Sequence, residues 1–469
     1  MATRKDLLKA EAFTTRRMVA AFVDRDPDDP TPPLRRVVTA TYVSVLIGVI
    51  ILAGSAIFGL IRPGGSTSWA EEGIIVSDTQ AGIQFVYLEE RDELVPMSNV
   101  TSARLLAGSY NNDEEPRIVN VRTDALKGAR QARLHGIPGA PRQLPDPSSM
   151  EVYPLQLCSS APNTAGDRFL TLAFAAGGPA GDNQHSFVAQ ASNNDQYLIM
   201  NGRAHRLWSE QGKASPLVED LPVVSPGTAW LTAIPVGPAL TPLEIPNIGA
   251  RPANDALGMA IGQLAVVEGS QEVSSRYYIQ LDQGLSQISY LDMRLQMAAN
   301  GANSPRRISE NDLAAGRNEE VPSVSNPEMQ FDKPQGPPGY GSLESASVCA
   351  TYGPDDPTRV VVGVDRPTPE LPEGHLRPNG NRLDLVATET LSGGLFRNAA
   401  TDATDSSTFL VTGGMIYPIP DVASRRALGY GEIAPAPIPG QLLALFPPGL
   451  ERDENLSREH IRPMGPGEQ

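Results

Sequence analysis

The sequence predicts an α+β protein in which a single transmembrane helix precedes an elongated, β-rich domain built from repeats. An uninterrupted apolar run lies near the N-terminus, strand-turn-strand patterns recur after it, and similar features return at a regular offset. We therefore expect a cytoplasmic segment at 1–36, the transmembrane helix at 37–61, an extracytoplasmic repeat domain at 62–455 and a polar tail at 456–469.

The apolar run from Val37 to Ile61 contains twenty-five residues and no charge. As a helix it would be about 37 Å long, which is enough to cross the hydrocarbon of a bilayer. A cleaved signal peptide has a shorter apolar core close to the N-terminus, and a core helix of a soluble protein is seldom so free of polar residues. The run predicts a membrane anchor.

Basic residues predict the orientation of this anchor, because Lys and Arg near the ends of a span resist translocation. Only Arg62 closely follows the run. Eight basic residues precede it: Arg4, Lys5, Lys9, Arg16, Arg17, Arg25, Arg35 and Arg36. We expect a cytoplasmic N-terminus and an extracytoplasmic main domain in a single-pass membrane protein.

The charge of the main domain narrows its possible partners. Residues 1–36 carry eight basic and six acidic side chains, which give a net charge of +2. Because the net charge of the whole chain is −16, the residues after position 36 carry a net charge of −18. An acidic domain argues against nucleic acid as a partner and against a polybasic lipid-binding surface. Lipid contact is expected through the membrane span alone. A hydrophobic content of 40% is sufficient for a folded core.

Two cysteines, Cys158 and Cys349, fall on the side of the membrane where thiols are usually oxidised. A disulfide between them would close a loop of about 190 residues and would contribute about 5 kcal/mol in the chain-entropy model. Two free thiols are the alternative. We expect the pair to act as a structural link between distant parts of the chain.

A hairpin pattern of two short apolar strands around a turn occurs four times in the main domain. Three of the copies precede a short helical pattern. The copies are FVYLEERDELVPM from Phe85, QYLIMNGRAHRLW from Gln196, YYIQLDQGLSQIS from Tyr277 and TFLVTGGMIYPIP from Thr408.

The spacing of these features predicts a duplication into halves at about 70–250 and 262–455. The cysteines lie 191 positions apart, and each is followed ten residues later by an arginine, Arg168 or Arg359, and a strand pattern. The second and fourth hairpins lie 212 positions apart, and each precedes a Pro-Gly-capped helix. One insertion in the second half explains the larger offset. We expect a pseudo-twofold body with the cysteines near its axis; chance matching of short apolar stretches is the alternative.

The sequence offers no pattern for catalysis or for binding a cofactor or a metal. It contains no G-x-x-x-x-G-K-[ST] phosphate loop and no G-x-S-x-G nucleophile elbow. The five histidines are widely spaced, without the spacing of a metal site: His135, His185, His205, His375 and His460. We expect no catalytic residue, no cofactor and no metal site.

Several stretches together resemble the EccB family, which are membrane components of the type VII (ESX) secretion system. They lie in the N-terminal segment (TRRMVAAFVDRDPD and PPLRR), after the first hairpin (SNVTSARLLAG and GIPGAPRQLP), at the paired cysteines and near the end (ALGYGEIAPAPIPGQLLALFPPGL). The match is better at these motifs than in the linkers.

The resemblance implies a structural part of a secretion machine. Its implied partners are further EccB copies and the EccC, EccD and EccE components of a sixfold assembly in the inner membrane. Residues 1–36 would contact cytoplasmic partners through an amphipathic helix at FTTRRMVAAFV. An anchored module that binds the cell envelope is the alternative, although three Trp in the chain offer no evident aromatic platform for sugars. An anchored hydrolase lacks any catalytic motif.

Overall fold

We analysed a computed structural model of the chain. It describes residues 3–23, 35–61, 69–150, 152–175, 177, 183–209, 221–269, 274–301, 304–317, 324, 333–369, 378–388, 391–401 and 407–465. The described residues form eight α-helices: α1 (Arg4–Val23), α2 (Arg35–Ile61), α3 (Val100–Gly108), α4 (Thr228–Ala233), α5 (Tyr290–Asn300), α6 (Glu310–Gly316), α7 (Val422–Ala427) and α8 (Gly440–Leu443).

The helix α2 has the length and composition of a membrane span. Its most apolar window runs from Val38 to Ser55, and none of that window is buried within the protein. An apolar helix with no protein around it requires another apolar environment, which a bilayer provides. The helix α1, which contains the predicted amphipathic stretch, likewise exposes large apolar side chains, including Phe13 and Phe22.

The first half of the main domain contains two four-stranded units separated by four further strands. We call β1–β4 with α3 repeat 1, and β9–β12 repeat 2. The strands are β1 (Ile75–Asp78), β2 (Ile83–Leu88), β3 (Glu93–Met97), β4 (Ile118–Val121), β5 (Arg130–Gln131), β6 (His135–Gly136), β7 (Leu155–Ser159), β8 (Leu170–Ala173), β9 (Phe187–Gln190), β10 (Gln196–Met200), β11 (Arg203–Arg206) and β12 (Val223–Val224).

The second half also contains two four-stranded units, but three strands separate them and one further strand follows. We call β13–β16 with α5 repeat 3, and β20–β23 with α7 repeat 4. The strands are β13 (Leu264–Val267), β14 (Arg276–Leu281), β15 (Gly284–Ile288), β16 (Arg306–Arg307), β17 (Val348–Tyr352), β18 (Val360–Val364), β19 (Leu385–Ala387), β20 (Gly393–Asn398), β21 (Thr408–Thr412), β22 (Met415–Ile419), β23 (Ala436–Ile438) and β24 (Arg462–Pro463).

All four repeats share one topology. Three strands form an antiparallel meander, and a short fourth strand returns parallel to the first, which gives the order third-second-first-fourth. The four predicted hairpins are the second and third strands of these sheets. In repeats 1, 3 and 4 the predicted helix lies between the third and fourth strands. The α+β fold and its repetition are therefore confirmed.

The sheet of repeat 1 is covered on both faces, as the alternation of its side chains requires. On one face Val95 packs with Ala103 and Ala107 of α3. On the other face Leu94 packs with Leu126 of the segment that follows β4. The strands β5, β6 and β24 extend this sheet to seven strands, so residues from the end of the chain join its first repeat.

A central five-stranded sheet lies between the repeats in the strand order β18-β17-β7-β8-β19. Its middle pair, β7 and β17, is antiparallel and comes from the two halves of the chain. One face carries Leu155, Leu157, Val348 and Tyr352 into the largest apolar core, which also holds Trp230 of α4. The central sheet therefore joins the halves and organises the main core.

Two features were not predicted from the sequence, and one predicted feature falls partly outside the described residues. Each hairpin was predicted as a pair of strands, whereas the structure adds a first strand and a short parallel fourth strand. Residues 456–465 of the expected polar tail include β24 and the buried Leu456. The insertion predicted in the second half falls partly on 370–377, which lies outside the described residues together with His375.

Candidate functional site at the centre and at the closure of the repeat domain

Cys158 and Cys349 face each other in the register of β7 and β17 and form a disulfide with a sulfur–sulfur distance of 2.11 Å. Ser159 pairs with Val348, and Leu157 pairs with Ala350. At the offset of 191 residues, Leu157 is equivalent to Val348, and Ser159 is equivalent to Ala350. The pair Ser159–Val348 is therefore equivalent to the pair Ala350–Leu157, as a twofold axis between the two strands requires. The disulfide lies at this pseudo-twofold centre, as predicted from the spacing of the repeats.

Arg168 links the two halves beside the disulfide. Its guanidinium donates to the carbonyl of Ser160 at 2.7 Å, within its own half. It also donates to three carbonyls of the other half, those of Leu343, Glu344 and Ala346, at 3.1, 2.6 and 2.8 Å. Burial lowers the pKa of Arg168 from its usual value, and the nearby Glu344 partly opposes that shift. These carbonyls compensate for the lost hydration of the cation.

The two halves differ at positions equivalent by the predicted duplication. Arg359, the counterpart of Arg168, is exposed. In the central sheet, β8 pairs on its outer side with β19. The equivalent outer side of β18 is bound instead by a side chain, the amide of Asn183. Its nitrogen donates to the carbonyl of Val360 at 2.9 Å, and its oxygen accepts from the N–H of Val362 at 2.8 Å. This amide satisfies the backbone groups that a further strand would bind.

A second connection joins repeat 1 to repeat 4, and three of the stretches that resemble EccB meet there. At this junction, SNVTSARLLAG supplies α3 and GIPGAPRQLP supplies the loop after β6. The stretch ALGYGE begins at Ala427, the last residue of α7. The helices α3 and α7 approach closely at Gly108 and Ala427, where a Cβ on Gly108 would lie 2.5 Å from that of Ala427. Small residues at this crossing allow the helices to pack.

The first turn of α3 holds the loop of residues 136–141. Asn99 caps the helix by accepting from the N–H of Ser102 and also donates to the carbonyl of Ile137 at 3.2 Å. The hydroxyl of Ser102 accepts from the N–H of Ile137 at 2.9 Å, and Thr101 donates to the carbonyl of Pro141 at 2.7 Å. The helix start therefore fixes the backbone of the loop.

Arg104 secures repeat 4 from the same helix. Its guanidinium donates to the carbonyl of Leu428 at 2.7 Å and pairs with Glu115 at 2.8 Å. Gly429 has a φ of +90°, and a Cβ there would lie 2.6 Å from the guanidinium, so only glycine leaves room for the contact. The buried hydroxyl of Tyr430 donates to the carbonyl of Pro145 at 3.0 Å. Burial strongly raises the pKa of Tyr430, which keeps this donor protonated.

The histidines that the structure describes do not form a common site. His205 is buried, with Nδ1 3.0 Å from the carbonyl of Pro238, and burial lowers its pKa. The ring of His135 lies 2.8 Å from the carbonyl of Arg133. Within the part of the chain that the structure describes, no group of three or more His, Cys, Asp or Glu side chains is arranged to hold a metal.

A family model described as "Type VII secretion system ESX-1, transport TM domain B", the EccB family, matches residues 1–460. The chain belongs to this family. The match covers the N-terminal helix, the apolar helix, both halves of the repeat domain and the junction of repeats 1 and 4.

Curated EccB relatives show the same similarity at lower coverage. The ESX-3 secretion system ATPase EccB3 of Mycobacterium tuberculosis is 28% identical over 328 residues, which are 64% of this chain and 58% of the relative. The matched part of the chain therefore spans less than two thirds of that relative's length. The ESX-5 secretion system ATPase EccB5 of Mycobacterium marinum is 25% identical over 500 residues, covering 96% of this chain and 92% of the relative.

Solved EccB structures share the fold. A chain of an intact ESX-5 inner membrane complex matches with a TM-score of 0.62 at 21% identity, covering 98% of this chain and 95% of the other. The EccB3 dimer from the ESX-3 core complex matches with a TM-score of 0.61 at 21% identity, covering 82% of this chain and 99% of the other.

We predict that replacing both cysteines by alanine destabilises the repeat domain by about 2–5 kcal/mol, because the unfolded chain regains the freedom of a long loop. Thermal unfolding with and without dithiothreitol measures the effect. Wild type in reductant should unfold at the temperature of the Cys158→Ala/Cys349→Ala variant, and the variant should not respond to reductant. Equal unfolding temperatures for wild type and variant without reductant would contradict the prediction.

We predict that Arg168→Ala lowers the free energy of unfolding by about 3 kcal/mol, because four carbonyls, three of them in part-buried contacts, lose a charged donor. Arg359→Ala is the matched control at the equivalent position of the other half. Since Arg359 is exposed, its removal should cost less than about 0.5 kcal/mol. Urea unfolding followed by tryptophan fluorescence compares the two variants. A similar loss in both would show that Arg168 does not link the halves.

Proposed function

We propose that the chain is a structural core component of a type VII (ESX) secretion complex in the inner membrane. The family match over residues 1–460 is the observation that carries the proposal. The proposed partners are other EccB copies and EccC-, EccD- and EccE-type components in a sixfold assembly, together with the lipid around α2. The structures in which similar chains occur are titled as an inner membrane complex and a core complex.

The proposed role is to hold the exit side of the complex in place. Repeats 1 and 4 are joined to each other, and the halves are joined by a disulfide and Arg168, so the repeat domain has connections at two separate places. Only residues 62–68 separate α2 from the described start of the repeat domain, and eight extended residue steps span at most about 30 Å. The domain is therefore kept near the membrane surface.

We propose that this chain is not itself an enzyme, although the names of its curated relatives contain the word ATPase. Nucleotide hydrolysis generally uses a backbone cradle and a lysine for the phosphates, as in the P-loop. The sequence of 469 residues contains no G-x-x-x-x-G-K-[ST] stretch. The energy for secretion would then come from an EccC-type motor.

Extraction of membranes in mild detergent tests the proposed assembly. The tagged chain should migrate in a particle far larger than a dimer, together with an EccC-type ATPase, because the family member is expected to be built into the complex. Removal of residues 4–23 should leave membrane insertion intact but weaken this co-migration. Migration as a monomer or dimer, under conditions that preserve other membrane complexes, would contradict the proposed function.

We also propose that residues 1–36 are cytoplasmic and that the repeat domain is extracytoplasmic, since eight basic residues precede α2 and only Arg62 closely follows it. Single cysteines test this, because both native cysteines are in a disulfide. In right-side-out vesicles, a membrane-impermeant maleimide should label Thr164→Cys directly and Thr15→Cys only after permeabilisation. Both positions are exposed, so the reverse pattern would show the opposite orientation.

A further inference from the structure

A groove with two lobes lies on the junction of repeats 1 and 4. The larger lobe has a volume of about 720 Å³ and the smaller one about 400 Å³, which is the size range of ligand sites in proteins. Pro141, Arg142 and Tyr417 line both lobes. The groove therefore follows the GIPGAPRQLP loop from one repeat to the other, with these three residues at its centre.

The described lining combines apolar residues and prolines with polar groups that expose about as much surface, and it includes the exposed side chains of Ile83 in one lobe and Leu391 in the other. Among the described lining residues, Arg142 is the only charged side chain. Arg142 is exposed, and no carboxylate of the described residues lies within ion-pair distance of it. The groove thus presents one cation beside both apolar and polar groups, on a chain whose net charge is −16.

Tyr417 lines both lobes of the groove. The residue is only 6% exposed, and its hydroxyl lies 3.7 Å from the sulfur of Met415, a weak acceptor. Burial raises the pKa of Tyr417, so the hydroxyl remains a donor at neutral pH. Gly449 packs against the ring, where a Cβ would lie 2.1 Å from Cε1, and this contact fixes the ring in place.

The wall of the groove is organised before any ligand arrives. Its loop is bound through the backbone of Ile137 and Pro141 to side chains at the start of α3. Gly139 approaches the carbonyl of Gly449 so closely that a Cβ would lie 2.8 Å from it. A rigid surface of this kind loses little conformational entropy on binding.

We propose that this groove binds an extended polypeptide segment of another protein, with apolar side chains in the two lobes and one Asp or Glu carboxylate between Arg142 and Tyr417. The groove offers a single cation, which matches one carboxylate and is too little for a phosphate-rich ligand. Its length along a loop and its apolar lobes match alternate side chains of an extended peptide. Such binding does not require the proposed secretion role, because it can be measured on the full chain alone.

A fluorescein-labelled peptide Leu-Pro-Leu-Glu-Leu-Pro and its Gln analogue test the inference on the full-length chain in detergent. By fluorescence anisotropy, the Glu peptide should bind about tenfold more tightly than the Gln peptide, since a charge-assisted hydrogen bond is lost in the analogue. Arg142→Ala should remove this preference, and Tyr417→Phe should weaken Glu-peptide binding about threefold to tenfold. Arg452→Ala, an exposed arginine outside the groove lining, is the control and should bind like wild type.

Equal affinity for the Glu and Gln peptides, or a preference that survives Arg142→Ala, would overturn the proposal. Absence of binding up to about 1 mM peptide would overturn it as well. A variant ending at Gly465 that binds more than tenfold tighter than the full chain would assign the groove to the chain's own last residues. Arg142-dependent binding of a muramyl peptide, with no binding of the Glu peptide, would assign it to cell-wall material.

Discussion

The antiparallel pairing of β7 with β17 is the interaction on which the rest of the repeat domain depends. It is the place where the two halves share a sheet, and its register puts Cys158 opposite Cys349. A one-residue slip would turn every side chain of one strand to the other face and would separate the cysteines. The disulfide therefore makes permanent a register in which Leu157, Val348 and Tyr352 all reach the main core.

Two connections at different places make the domain resist bending between its halves. A single contact between two bodies leaves them free to rotate about it, whereas a second contact away from the first removes that freedom. The central sheet is the first connection, and the packing of α3 on α7 with the Arg104 contact to Leu428 is the second. The second joins residues 324 positions apart, and β24 adds the end of the chain to the sheet of repeat 1.

The sequence predicted those parts of the fold that local patterns determine. Alternating apolar residues around Asn201-Gly202 or Gly413-Gly414 identify a hairpin, because the turn and the two strands lie within a dozen residues. The disulfide followed from the spacing of the duplicated halves. The strands β5, β6, β16 and β24 have two residues each, which is too short for any periodicity, and they form only because a partner strand is already in place. Arg168 and Arg104 bind carbonyls that are distant in sequence, so no local pattern reveals their role.

The departures from pseudo-twofold symmetry indicate where the two halves have different tasks. A duplicated body would be expected to use the same contact twice, yet Arg168 binds the opposite half while Arg359 is exposed. Repeat 1 is extended by β5, β6 and β24, whereas the sheet of repeat 3, its counterpart in the second half, has four described strands. The extended repeat is the one that follows α2, and it also forms the junction with repeat 4. The additional strands stiffen repeat 1, through which the membrane helix would transmit any movement to the rest of the domain. The central sheet then needs no additional strands for this purpose.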